Sequence, residues 1–279
     1  MSDDALPSYA TVSLDRDGVI TWLTLNRPDR LNAMNGQMLE DISDSLDMLA
    51  KHKSTRVIIV RGAGRAFCAG YDLQRDQSEI GHARDIVEDF DRLNLNMTRF
   101  MKIWDHPKPV IASVHGYCLA GATQLCVFCD ITVVAEDAII GLPAIPAGGG
   151  YITPLWTPLV GPKRAKQMAF VVGSKISGTT SSEWGWSNYA VPAAELEENV
   201  RKLANDIAKI PGPILHMKKV SINRVWDTMG FRHIVPMGAE TDALLHYSKD
   251  VQTLSRAIRE QGLKEAIASF NAGELFDKE

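Results

Sequence analysis

The chain has 279 residues, of which 45% are hydrophobic and 23% charged, and its formal net charge is −4. That balance suits a soluble globular protein with one large core or two smaller ones. It gives no basic face for nucleic acid and no apolar run near the roughly 20 residues of a membrane span. The start, Met1-Ser2-Asp3-Asp4, is acidic and unlike a secretory signal. A cytoplasmic protein with neither nucleic acid nor membrane as partner is expected.

In chain order, Val12-Ser13-Leu14 and the apolar run 19–25 flank Asp15-Arg16-Asp17-Gly18 and read as a hairpin. Residues 34–49 carry Met38, Ile42, Leu46 and Leu49 at helical spacing. The strand Val57-Ile58-Ile59-Val60 follows, then a polar stretch, 74–84, that reads as a mobile loop. A long amphipathic helix is expected over 85–104, its acidic face in solvent. After Pro107-Lys108-Pro109 come a strand, 110–115, a helix from Gly121, and the strand Ile131-Thr132-Val133-Val134. Glycine and proline make 141–158 irregular, and helices are expected over 163–172, 180–186, 194–210, 213–226 and 238–268. The reading is α/β, with a core over residues 9–195 and a helical region over 196–279. Apolar residues on more than one face of that region predict a homo-oligomer.

Two glycine loops carry most of the functional information. One is Gly64-Arg65-Ala66-Phe67-Cys68-Ala69-Gly70-Tyr71-Asp72, the other His115-Gly116-Tyr117-Cys118-Leu119-Ala120-Gly121. Each follows a β-branched strand and leads toward a helical pattern. Such turns leave backbone N–H groups unpaired, and two of them can converge on one oxygen as an oxyanion hole. Cys118, Cys126 and Cys129 with His115 could be a zinc set on paper. Cys126-Val127-Phe128-Cys129 instead continues an apolar helix with no turn between the thiols, so no metal is expected. No Ser-His-Asp arrangement is readable.

Several pieces, in this order, resemble the crotonase superfamily, the enoyl-CoA hydratase/isomerase group. They are Asn26-Arg27-Pro28 with Leu31-Asn32-Ala33-Met34, the run from Arg65 to Asp72, Lys108-Pro109-Val110-Ile111-Ala112 with Gly116-Tyr117, Cys129-Asp130, and residues 173–177. The resemblance covers residues 9–190. It implies a crotonase-like spiral of ββα units, assembled as a trimer or a dimer of trimers through the helical C-terminal region. It implies an acyl-CoA thioester substrate, with coenzyme A part of the substrate and no separate cofactor. It maps the oxyanion hole to the backbone N–H groups of Tyr71 and Gly121. Arg30 and Ala33 fall where relatives hold the CoA phosphates and adenine, and Ala69, Asp72, Ala144 and Tyr151 complete the substrate-binding set.

The sequence departs from the pattern where hydratases of the superfamily place two glutamates as acid and base. Those positions are Gln124 and Ala144 here, and the following loop, 145–152, is shorter. A carboxamide neither gives nor takes a proton near neutrality. Hydratase/isomerase-type chemistry through a thioester enolate is the leading expectation. A decarboxylase, a hydrolase, or a CoA-thioester-binding protein with little activity are the alternatives. Among side chains, Tyr71 is expected to shape the acyl pocket rather than act through its phenol, and Asp72, which could be a base, to cap a helix. Gln124 either holds a water or the thioester carbonyl or is inert, and Tyr151 either donates a proton or packs. His115 is expected in the core, and Glu136 and Asp137 at the surface. Glu183, beside Trp184, is the acid to check for a rescued role. Glutamate installed at 124 is expected to raise hydration.

Overall fold

The computed structural model describes residues 6–73, 85–146, 148 and 150–276. The expected loop at 74–84 lies outside them.

The hairpin forms as β1 (Val12–Asp17) and β2 (Ile20–Leu25), turning at Gly18, whose φ of +60° suits glycine. Asn35 caps α1 (Gly36–Lys51), its side chain accepting from Met38 N. Then come β3 (Val57–Gly62) and α2 (Ile86–Trp104), whose N-terminus Asp85 and Glu88 close as a capping box. Next are β4 (Val110–Val114), β5 (Tyr117–Leu119), α3 (Gly121–Phe128), β6 (Ile131–Ala135) and β7 (Ile139–Gly141). Further on are α4 (Thr157–Phe170), β8 (Lys175–Ser177), α5 (Gly178–Glu183) and β9 (Tyr189–Val191).

The main sheet runs β1-β2-β3-β4-β6-β9, parallel beyond the opening hairpin. Its central strands are apolar on both faces because the sheet is covered, the usual signature of buried parallel strands. A smaller sheet, β5-β7-β8, stacks beside it. The backbone of Cys68 forms an isolated β-bridge with that of Cys118, which pairs with Ile140, which pairs with Ile176. Each turn of the spiral is thus a long strand, a tight turn and a short strand, with helices interspersed. That is the crotonase-like arrangement.

The C-terminal helices are α6 (Leu196–Ala208), α7 (Gly212–Thr228), α8 (Phe231–His246), α9 (Lys249–Gln261) and α10 (Leu263–Asn271). The single stretch expected over 238–268 is three helices. Ser248 caps a new start, its hydroxyl accepting from Val251 N, and Gly262 at φ +86° breaks the chain again. The helix expected from 163 begins at Thr157 and kinks at Gly161. α6 lies across β2, β3, β4 and β6, and α8 packs along α2. Leu196, Val200, Phe231 and Ala243 accordingly belong to the same core as the sheet. α7 instead turns Ile214, Met217, Ile222 and Val225 outward, and Met229, just past its end, is 77% exposed. These side chains form an exposed apolar stripe at helical spacing. Among the described residues, no helix is long and apolar enough to cross a membrane.

Candidate active site

The two glycine loops meet beside the N-terminus of α3. Gly70 has φ +98°, and a Cβ there would lie 2.7 Å from Leu119 O and 3.1 Å from Gly121 N. Only glycine allows so close an approach. Met34 N donates to Gly70 O at 2.8 Å, and Asp72 N to Met34 O at 3.0 Å. The intervening Tyr71 amide therefore points away from Met34. The Gly121 amide is the first of α3, where no helical acceptor exists. Among the described residues, neither N–H has a hydrogen-bond partner. Two unpaired donors at a helix N-terminus form a positive end suited to an oxyanion.

Ala120, just before this pair, holds φ +50° and ψ −120°, costly for a residue with a Cβ. Its neighbours enforce that conformation. Ala120 N donates to Gly141 O at 2.8 Å, and its carbonyl accepts from Thr123 N and Oγ1. Trp156 Nε1 holds the Thr123 hydroxyl in turn at 3.1 Å.

Tyr71, Gln124 and Tyr151 stand together beside these amides. The Tyr71 ring lies over Gly121, where an added Cβ would meet its Cε2 at 2.5 Å. Its hydroxyl donates to Gln124 Oε1 at 2.8 Å, and Gln124 Nε2 donates to Tyr151 O at 2.5 Å. The Tyr151 hydroxyl donates to Leu93 O at 2.8 Å, and the two rings stand 5.8 Å apart. Gln124 is fully buried. Gln124 is expected to hold a water or the thioester carbonyl, or to be inert; in the structure both ends of its amide brace the tyrosines. A glutamate at 124 would set an acceptor against the Tyr151 carbonyl, so the expected gain in hydration is revised to a loss of stability. Burial lifts both phenols above their ordinary range, and the adjacent Tyr151 phenol adds to the shift of Tyr71.

Ala144 is exposed beside Gly173 and offers no polar atom beyond its backbone. The helix start that Asp72 is expected to cap lies outside the described residues. The Asp72 carboxylate takes Arg27 Nη1 at 2.9 Å, while the same nitrogen donates to Ala33 O at 2.5 Å. Asn32 is buried and ties this turn to Ala63 O and Ala66 O. Ala69 N donates to Leu31 O at 2.9 Å, so Ala33 and Ala69 sit on opposite sides of one seam. Arg30 is exposed at the edge of that turn. His115 is half-buried rather than in the core. Its Nε2 pairs with Gly64 O at 2.9 Å, at the edge of a groove of about 600 Å³. Glu183 is exposed at the end of α5. Among the described residues, no hydrogen bond or ion pair joins it to the tyrosine cluster. Cys118 and Cys126 lie 3.8 Å apart as free, buried thiols. Burial pushes the nearby Cys68 thiol up to about 12.

The acidic face of α2 is not all in solvent. Asp89 is buried and pairs with Arg92 at 2.6 Å and with His246 Nδ1 at 2.5 Å. Burial alone would raise its pKa, but the hydrogen bonds from His246 and Arg92 outweigh it and hold the carboxyl at about 2. Asp242 of α8, also buried, accepts from Gly150 N at 2.8 Å and carries the loop that bears Tyr151. Sequence reasoning missed both, because their partners lie 157 and 92 residues away. A carboxylate among Gly238, Ala239 and Ala243 on the small-residue face of a helix was the available signal for Asp242.

The sequence profile of the enoyl-CoA hydratase/isomerase family matches residues 15–245. The solved structure of a Novosphingobium aromaticivorans protein assigned as an enoyl-CoA hydratase/isomerase is 39% identical, covers 94% of this chain and 95% of its own, and superposes with a TM-score of 0.87. An enoyl-CoA hydratase/isomerase from Xanthobacter autotrophicus is 30% identical, covers 97% of this chain and 100% of its own, and has a TM-score of 0.88. A hydroxycinnamoyl-CoA hydratase-lyase from Pseudomonas fluorescens is 28% identical over 77% of this chain and 79% of that protein. This chain belongs to the enoyl-CoA hydratase/isomerase family of enzymes.

Proposed function

We propose that this protein acts on acyl-CoA thioesters by stabilising an enolate at the backbone N–H groups of Tyr71 and Gly121. The observation that carries the reading is the pair of unpartnered amides at the α3 N-terminus. As negative charge builds on the thioester oxygen, both hydrogen bonds strengthen, and the helix end adds to them without reorganisation. Arg30, Ala33, Ala69 and Asp72 frame the CoA end of this site, and Tyr71, Ala144 and Tyr151 its acyl end. Gln124 sets the acyl wall. Coenzyme A arrives as part of the substrate, and no separate cofactor takes part.

The second reading rests on Gln124 and Ala144. With no carboxylate at either place, a reaction that needs the oxyanion hole but not both glutamates, decarboxylation through an enolate or thioester hydrolysis through a tetrahedral oxyanion, is favoured over addition of water across a double bond. An acyl-CoA panel followed by mass spectrometry separates these outcomes. Gain of water marks hydration, loss of carbon dioxide marks decarboxylation, and free CoA marks hydrolysis. No turnover and no binding of any thioester would overturn the reading. The protein is also expected to be a cytoplasmic trimer or hexamer, using the outward face of α7. Light scattering that gives a monomer across micromolar concentrations would contradict the assembly.

A further inference from the structure

We propose that a cavity at the N-terminal ends of β3 and β4 is a second ligand site, which binds a phosphate group. The cavity holds about 260 Å³ and is walled by the end of α1, the segments that lead into β3 and β4, and the N-terminus of α7. The two glycine loops lie past the opposite, C-terminal ends of the same strands. This cavity is therefore separate from the candidate active site and independent of the acyl-CoA reading. Lys51, Lys53, Arg56 and Lys108 line it, and among the described residues that do so none is acidic.

Two of those cations are built into the frame. Lys108 Nζ donates to His52 O at 2.6 Å and to Leu49 O, at the C-terminus of α1. Burial lowers it to about 8, so it still carries its charge at neutral pH. Arg56 Nη2 donates to Ile210 O at 2.5 Å and so fixes the start of α7 beside the cavity. That helix, 17 residues long, begins at Gly212 with no side-chain cap and no acidic residue in its first turn. Among the described residues the Gly212 N–H has no partner, and an added Cβ at Gly212 would meet nothing within 4 Å. A separate sign of a missing partner comes from His52, which lines the cavity and is 7% exposed. Its Nδ1 lies 2.8 Å from Thr55 Oγ1, while its Nε2 is buried with no hydrogen-bond partner.

The end of α1 contributes about −0.5 charge and the start of α7 about +0.5, so the two helix ends nearly cancel and the four cations remain. A phosphate group, with more than one charge and several acceptor oxygens, matches lysines, an arginine and a helix N-terminus together. The volume falls just below the roughly 300–1,000 Å³ of sites that enclose whole small molecules, which suits the phosphate end of a ligand and not an entire nucleotide.

Titration of the full-length protein with inorganic phosphate, followed by phosphorus NMR at fixed ionic strength, tests this. The wild type is expected to bind phosphate in the millimolar range or tighter. Lys51→Glu/Lys53→Glu, at two exposed positions, is expected to weaken binding at least about tenfold. Lys166→Glu, an exposed lysine of α4 outside the cavity, is expected to leave it unchanged. Gly212→Pro removes only an N–H, at the first helical position where proline is tolerated, and is expected to weaken binding about tenfold. Glycerol 3-phosphate in place of phosphate distinguishes the sources. Tighter binding assigns a phosphorylated metabolite, equal or weaker binding assigns free phosphate, and either supports the site. No phosphate binding by the wild type would overturn the inference, as would binding that survives in both cavity variants. Binding that responds to the charge reversal but not to Gly212→Pro would mark a diffuse basic patch and overturn it too.

Discussion

The two ends of the candidate site are built on opposite terms. At the junction of Gly70, Tyr71, Ala120 and Gly121, the backbone is strained and two amides are left unpaired. One turn further along α3, at Gln124, every polar atom of the side chain has a partner and none of it is exposed. The difference teaches how the site divides its work. Unpaired donors in a rigid frame are ready for charge that appears on a ligand. A carboxamide locked between two tyrosines neither gives nor takes a proton near neutrality, and on the proposed reading it sets the acyl wall.

The largest expected effect comes from closing the unpaired end. In Gly121→Ala, the new Cβ would meet the Tyr71 ring at 2.5 Å. Displacing the ring and the amide should lower turnover of any accepted thioester by about 10²–10³-fold, the usual effect of a lost oxyanion-hole donor. Unchanged kinetics in a folded variant would show that the amide does not touch the reacting oxygen. Next comes Gln124→Glu at the satisfied end. It removes the donor to the Tyr151 carbonyl and should cost about 1–3 kcal/mol in denaturant unfolding, with no gain in hydration of crotonyl-CoA. A faster hydration with unchanged stability would show that position 124 still serves as an acid.

A pH titration of stability sharpens the contrast between these ends and the helical frame that carries them. Burial lowers His106 from 6.5 to about 4, and it stays neutral in the folded state. Between those values the unfolded chain binds the extra proton, so stability is full above 6.5 and falls as pH drops toward 4. Asp89, at about 2 against an ordinary 3.8, adds a second loss over that lower window. His106→Gln should flatten the upper limb and leave the lower. The smallest effect is expected from Ala120→Gly. It relieves a conformation costing roughly 1–3 kcal/mol, against up to about 1 kcal/mol of added chain entropy in the unfolded state. A net gain of about 1 kcal/mol in unfolding free energy is expected, and a loss would show that the Ala120 methyl packs usefully.

Much of the fold was legible in the sequence. The β-branched runs at 57–60 and 131–134 announced strands, and the glycines at 70 and 121 announced the turns that build the proposed hole. The three-residue strands β5, β7, β8 and β9 were not legible, because a run that short has no period to detect. The split among α8, α9 and α10 was signalled by Ser248 and Gly262, but apolar residues on both sides masked it. The brace at Gln124 could not be read locally. It depends on Tyr71, 53 positions before it, and on a carbonyl 27 positions after it. Residue type alone marks Asp72 as a candidate cap, and only the folded chain brings Arg27 to it.

The central claim is that the thioester oxygen is held by the Tyr71 and Gly121 amides, and ligand pairs that differ only in that oxygen test it most directly. Butyryl-CoA should be titrated against its S-butyl thioether, which keeps the chain and the coenzyme but has no carbonyl. The thioester is expected to bind at least about tenfold more tightly in wild-type protein, and Gly121→Ala should erase most of that difference. Equal affinity for thioester and thioether in the wild type would contradict the account.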